Sequence, residues 1–265
     1  CWLGDAGHPP LQTLHLGGQP VTPPSAAALG RLLRRHQSLR VLGLRRCALE
    51  PKGLVALCQG CHEEDEGAGK AAVPQGGVSS GSWRVHRLEL QQSRLGRGGS
   101  VSLSTALRNM PAAVTAGQTC GACLLELELG YNGLGPDDGV GWGEWMAGSV
   151  AMESPIGLRL LSLHDNPLGE SGGMGLAAGL GLSPPLLCLA LSDCRLGDGA
   201  GSALASALTR NTRLRVLDLE GNKLGPASAL ALGEALGQQI VRGQQQPGGL
   251  DKLILSGNRL GDTGV

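Results

Sequence analysis

Phenylalanine is absent from this 265-residue chain, tyrosine occurs once, and aromatic residues make up only 2% of it. A single irregular core is ordinarily filled by such residues, so their scarcity argues against ordinary globular packing. Net charge is missing too, with 22 Lys and Arg set against 22 Asp and Glu. No overall field therefore draws the chain to nucleic acid or to an anionic membrane. There is no signal-like N-terminus and no Asn-x-Ser/Thr acceptor. Reduced thiols in the cytoplasm, with the nucleus as the other setting, are the expectation for the eight Cys. A membrane-spanning run is lacking as well: the most apolar window, residues 175–191, is split by Pro184 and Pro185 and falls short of a span. The sequence starts at Cys1 and stops at Val265 inside a motif, which reads as a piece of a larger protein.

What the chain has in quantity is leucine in register and 45 Gly. Thin, near-identical layers can be packed with Leu and Ala, with Gly taking the turns. The organising unit is residues 214–236, LRVLDLEGNKLGPASALALGEAL. Its first half alternates like a short half-buried strand, with Leu217 and Leu219 on one side. In its second half Leu224, Ser228, Leu232 and Leu236 recur every fourth residue, one stripe of a helix, with Pro226 in the first turn. One strand and one helix cannot bury both apolar faces alone, so the unit requires copies on either side.

Equivalent motifs start at Leu11, Leu39, Val85, Leu124, Leu158, Leu186, Leu214 and Leu250, spaced by 28, 46, 39, 34, 28, 28 and 36 residues. A 28-residue unit with insertions accounts for all of them. Periods of this size with this consensus are the signature of leucine-rich repeats. About eight repeats are expected in one domain over residues 1–265, the last truncated. The insertions, near 62–82, 111–121 and 238–249, lack apolar periodicity and are expected as flexible loops. The helical core slots fit six of the repeats. In the fourth they fall on Trp142 and Met146 only if Pro136 is not an insertion. One of Trp142 and Trp145 is expected in the core and the other exposed.

LRVLDLEGNKLG and the closing LILSGNRLGDTGV resemble the ribonuclease-inhibitor-like class of leucine-rich repeats, which includes the C-terminal arrays of NOD-like receptors and the Ran GTPase-activating proteins. The resemblance implies an α/β fold, a right-handed solenoid or horseshoe with a parallel sheet on the concave face and helices on the convex face. It implies a binding scaffold or sensor array rather than an enzyme, with no cofactor. The alternatives it leaves are a Ran-type GTPase activator and a ribonuclease-inhibitor-like inhibitor. Fold fixes function loosely.

The ninth motif position holds Gln19, Cys47, Ser93, Asn132, Asn166, Cys194, Asn222 and Asn258. A side chain turned inward there can satisfy loop backbone groups that would otherwise be buried without partners, so these are expected as a structural ladder. Two C-x-x-C pairs, Cys58 with Cys61 and Cys120 with Cys123, sit too far apart for a zinc ribbon, and no metal is expected. The Gly-rich stretch 169–181 lacks the context of a dinucleotide loop and is expected as turn chemistry. The remaining candidates flank the strand leucines. Arg45, Arg46 and Arg87 gather in repeats two and three, while Glu89, Glu126, Glu128, Asp165, Asp193, Asp218 and Glu220 spread towards the C-terminus, with Tyr131 and His164 among them. A solvated sheet carries polar residues in any case, but this segregation by sign singles the face out. Stacked strands should bring Glu126, Glu128, Asp165, Asp193, Asp218 and Glu220 into one acidic strip. That strip would suit a protein partner with a basic surface, anchored at Tyr131.

Overall fold

The motif puts a leucine at the centre of each strand, and in the computed structural model these leucines stack into one row: Leu14, Leu42, Leu88, Leu127, Leu161, Leu189, Leu217 and Leu253 pair in register. The structure describes residues 10–36, 38–62, 85–108, 114–115, 118–119, 124–151, 157–243 and 248–261. In chain order the elements are β1 (Thr13–His15), α1 (Pro23–Arg35), β2 (Val41–Gly43), α2 (Glu50–His62), β3 (Arg87–Glu89), α3 (Val101–Arg108), β4 (Val114–Thr115) and β5 (Gln118–Thr119). They continue with β6 (Glu126–Glu128), α4 (Pro136–Ala151), β7 (Leu160–Ser162), α5 (Gly169–Leu180), β8 (Cys188–Ala190), α6 (Gly197–Leu208), β9 (Val216–Asp218), α7 (Pro226–Gly243) and β10 (Lys252–Ile254). Eight parallel strands form one open sheet in the order β1-β2-β3-β6-β7-β8-β9-β10. This is the α/β solenoid that the repeat period predicts.

Each helix returns the chain to the start of the next strand, as parallel pairing requires. Strands repeat at about 4.8 Å and packed helices at about 8–10 Å, so the two layers stay in register only if the stack bends with the sheet inside. The core lies between them. Leu44, Leu90, Leu129, Leu163, Leu191 and Leu219 are buried one step beyond the central row. The helices close over them with Leu33, Leu57, Leu103, Leu176, Leu204 and Leu232. The terminal strands have one neighbour each, and Leu14, Leu16, Leu253 and Leu255 are accordingly only partly buried.

The ninth-position side chains bond one repeat to the next. Asn132 donates from Nδ2 to the carbonyls of Leu90 (2.8 Å) and Leu129 (2.9 Å), and its Oδ1 accepts from the Ser93 amide at 2.8 Å. Asn166, Asn222 and Asn258 repeat the pattern. Cys47, Ser93 and Cys194 are shorter, and their side chains donate to the carbonyls of Leu16, Leu44 and Leu163. Gln19, in the first repeat, is exposed instead.

Four expectations change in the structure. Gly169, with φ 66°, and Gly181, in the turn after the helix, are turn residues as expected, but Gly172, Gly173, Gly175 and Gly179 lie inside α5, where a Cβ on Gly175 would sit 2.7 Å from the Val140 Cα and one on Gly179 would sit 2.2 Å from the Gly143 carbonyl oxygen. Small residues let α4 and α5 meet backbone to backbone. Trp142 and Trp145 are both in the core, at 0% and 1% exposure, with ring centroids 5.7 Å apart and edge-on. Burial of Trp142 is made tolerable by its indole N–H, which donates to Ser100 Oγ at 3.0 Å. Met146 is also buried and Pro136 opens the helix, so repeat four keeps the common frame. The insertion at 238–249 begins as helix, because α7 runs on to Gly243. Gln239 holds that extra turn: its Nε2 donates to the Leu208 carbonyl at 2.8 Å and its Oε1 accepts from the Leu250 amide at 3.1 Å. Within 111–121, Val114–Thr115 pairs antiparallel with Gln118–Thr119. The insertion at 63–82, and Cys120 with Cys123, lie outside the described residues.

Two aspartates tie helix starts together. The buried Asp138 carboxylate accepts from the amides of Gly98 (2.7 Å), Ser100 (2.8 Å) and Gly135 (2.9 Å). Asp198 in α6 accepts from the amide of Gly225 at 2.7 Å and from the amide and hydroxyl of Ser228 at the start of α7. The Ser228 hydroxyl, followed by these amides, holds the Asp198 carboxyl below the usual carboxylate range. Carboxylates at helix N-termini are favoured by free amides and by the helix dipole.

Candidate functional site

Outward-facing strand residues form two rows on the sheet face, and register decides which of them meet. In the first row Arg87 lies beside Glu126; in the second Glu89 lies beside Glu128. Arg87 reaches across both rows, with Nε 2.9 Å from Glu89, Nη1 3.1 Å from Glu126 and Nη2 against Glu128. Arg45 approaches from the adjoining turn, with Nε 2.9 Å from Glu89 and Nη2 3.4 Å from Glu128. Burial opposes the Arg87 charge, yet the carboxylates of Glu128, Glu89 and Glu126 hold its pKa above the ordinary arginine value. Two cations and three carboxylates thus form one nearly neutral cluster in the middle of the face. His15 stands at its edge, 3.9 Å from Glu89.

Beyond the strands the sheet bonding continues through the turns. The amides of Gly18, Arg46, Gln92, Tyr131, Asp165, Asp193 and Gly221 each donate to a carbonyl of the following repeat. All of these residues have positive φ, between 54° and 79°, a conformation that glycine takes freely and other residues reluctantly. The turn geometry therefore lifts Arg46, Gln92, Tyr131, Asp165 and Asp193 onto one rim. Along it the chemistry changes from a cation, Arg46 hydrogen-bonded to Gln92, to an aromatic and then to two acids.

Tyr131 is half exposed at 51%. Its ring meets the His164 ring edge-on, with centroids 5.1 Å apart. His164 Nδ1 donates to Asp165 Oδ2 at 3.0 Å. A hydrogen bond from the Tyr131 hydroxyl to Asp165, reinforced by the charges of Asp165 and Asp193, raises the phenol pKa. Glycines make room for these side chains. A Cβ on Gly130 would lie 2.2 Å from His164 Nε2, and one on Gly221 would lie 2.2 Å from Asp193 Oδ1. Gly17, Gly18, Arg45, Arg46, Gln91, Gln92, Glu128, Tyr131 and His164 enclose an open groove of about 670 Å³.

The six carboxylates expected in one acidic strip do not form one. Glu126 lies in the first strand row, Glu128 and Asp218 in the second, separated by Ser162 and Ala190, and Asp165 and Asp193 on the turn rim. Glu220 occupies the turn position before the rim. Register divides the six among three rows, with Asp165 and Asp193 still neighbours on the rim, and only Glu126 and Glu128 are paired with arginine. Gln91 is the contributor that sequence reading leaves out of the site. It is 8% exposed, its Nε2 donates to Glu128, and its Oε1 has no partner. Its place beside the strand leucines puts it on the face, but its bond to Glu128, 37 positions away, is not legible there.

The thiols offer little chemistry. Cys58 and Cys194 are buried and their pKa is pushed up to about 12 by desolvation. Cys188, on the sheet face, is raised by partial burial. Among the described residues no three His, Cys, Asp or Glu side chains come together as a metal site, and no helix is long and apolar enough to cross a membrane.

No curated protein matches the chain. Among solved structures it is similar to the chain in the crystal structure of the TLR13-ssRNA13 complex, with a TM-score of 0.45 and 16% identity. That match covers 94% of this chain and 30% of the other, so this chain spans less than a third of its length. Residues 35–58, 183–205 and 210–233 match a family described as leucine rich repeat. With the stacked leucine rows and the ninth-position ladder on either side of those segments, the chain carries leucine-rich repeats assembled as an α/β solenoid.

Proposed function

We propose that the chain is a protein-binding scaffold whose partner lies across the concave sheet face. The observation that carries this reading is Tyr131, the sole tyrosine, standing half exposed on the rim between a neutralised Arg–Glu cluster and an acidic end. Half-exposed tyrosines beside pockets are common anchors of protein interfaces. The role is binding rather than catalysis: Glu89, Glu126 and Glu128, the carboxylates that cluster on this face, are held by Arg45 and Arg87 instead of being paired for proton transfer. The same pairing favours protein over nucleic acid as the partner, since phosphate contacts need free cations. The acidic end, Asp193, Asp218 and Glu220, suits a partner with a basic surface. Free thiols at Cys47, Cys58, Cys188 and Cys194 suit a reducing compartment, the cytoplasm or nucleus.

The test is affinity capture with the chain, followed by kinetics on the captured partner with Asp193, Asp218 and Glu220 replaced by Ser. Association should slow and its salt dependence should flatten, because exposed charges act mainly on the encounter rate. Unchanged kinetics with an intact fold would move the docking surface to the helices or the insertions.

A further inference from the structure

We propose that the sheet face at repeats five to seven receives an amphipathic α-helix of the partner, its apolar stripe seated on Leu160, Cys188 and Val216 and its basic flank turned to the acidic rim. This refinement rests on the docking reading above. Register sets the three side chains next to one another in the first outward row, each one strand further along the sheet. All three are partly exposed, and Leu187, 37% exposed, adjoins them. The core does not use them, because Leu161, Leu189 and Leu217 fill it from the opposite side of the same strands. Nor does the row require apolar residues: in repeats one, three and four it carries Thr13, Arg87 and Glu126, and Thr suits a strand as well as Val does. An apolar centre bounded by charge is the anatomy of a protein interface.

Spacing decides between a helix and an extended segment. Strands stacked about 4.8 Å apart put the outer two members of the row roughly 10 Å apart. A helix laid across the strands advances about 5.4 Å per turn, so each turn meets one strand and the mismatch over all three is about 1 Å. An extended chain repeats a face every 6.7 Å or so and slips by roughly 4 Å over the same distance. The small Ser162 and Ala190 stand beside Leu160 and Cys188 in the second row, which lets a helix come close. The borders then select the charge. Between the strands and the rim, residues 162–166, 190–194 and 218–222 contain Asp165, Asp193, Asp218 and Glu220 and no Lys or Arg. Asp165 is shared by His164 and Tyr131, which leaves the other three for incoming cations. On the opposite border Arg159 is exposed and Arg215 is held by Asp251, so only the flank facing the rim is basic.

The experiment measures fluorescence anisotropy with the 265-residue chain and a labelled model helix of about five turns, bearing leucine on one stripe, lysine on one flank and glutamine elsewhere. This peptide should bind and should shield Cys188 from alkylation. A version with a central proline, which breaks the helix, should bind roughly tenfold or more weakly, and so should one with glutamate in place of lysine. Leu160→Thr and Val216→Thr, outside the core, should each weaken the lysine peptide by about three- to tenfold. Leu230→Gln, at an exposed apolar site on α7, should leave it unchanged. Equal binding of the proline or glutamate peptide, indifference to both Thr variants, or an unshielded Cys188 would overturn the proposal. Self-association of the chain that Leu160→Thr abolishes would overturn it in favour of a second copy. Absence of binding by every peptide would overturn the helix and leave the docking face standing. That face falls as well if the captured partner is indifferent both to Leu160→Thr and to replacement of Asp193, Asp218 and Glu220.

Discussion

Asn166→Ala tests how the repeats are held to one another. Asn166 is fully buried, and its Oδ1 accepts from the amides of Asn132 and Leu134, both at 3.0 Å. Its Nδ2 donates to the carbonyls of Leu129 and Leu163. Truncation does not orphan all four groups. The Leu129 carbonyl keeps the Asn132 side chain at 2.9 Å, and the Leu163 carbonyl keeps the Cys194 thiol at 3.2 Å. What is lost is a partner for two buried amides. At about 1–3 kcal/mol for each unsatisfied donor, the variant should be destabilised by roughly 2–6 kcal/mol. Asn166→Ser should fare little better, because at the equivalent position the Ser93 hydroxyl donates to the Leu44 carbonyl of the preceding repeat and accepts neither of that repeat's turn amides. Urea titration followed by circular dichroism and by tryptophan emission would measure it, since Trp142 and Trp145 lie in the adjacent repeat. A loss below about 1 kcal/mol, or full rescue by Ser, would show that the ladder does not hold the turns through its acceptor oxygen.

Gly143→Ala should destabilise by about 1–3 kcal/mol, because its Cβ would sit 2.0 Å from the Gly175 carbonyl oxygen and force α4 from α5. Gly233→Ala, with open space around its Cβ, should instead stabilise by up to about 1 kcal/mol; equal signs in thermal melts would contradict the close-approach account. Asp198, with its carboxyl below the usual range, should contribute stability that is complete above about pH 4, the unfolded value, and fades as pH falls through the lower folded one. Asp198→Asn should therefore flatten the acid limb of the stability profile, and an unaltered limb would refute the assignment. Cys58 and Cys194, with pKa about 12, should resist alkylation in the native chain at about pH 8 and react only after unfolding; mass mapping of labelled peptides reads the outcome.

The repeat period and the leucine pattern determine the α/β solenoid on their own. Each layer is built from local spacing, and Leu217 can be buried only if another copy of the motif lies beside it. The polar ninth position is legible for the same reason, since a turn of that length must satisfy its own amides. Position in the sequence does not say which long side chain bends towards which neighbour. Arg87 and Glu128 meet across 41 residues, and the acidic residues that look continuous along the chain are divided among rows by a register of two. The glycines of α4 and α5 look like turn residues until the helices are seen to touch, because close approach is a property of a pair of helices and not of either alone. That both tryptophans are buried is not legible in the sequence, because the partner of the Trp142 indole N–H, Ser100, is supplied by the preceding repeat. Secondary structure and stacking follow from spacing within one repeat. The chemistry of the face follows from distances between repeats, which only the assembled solenoid sets.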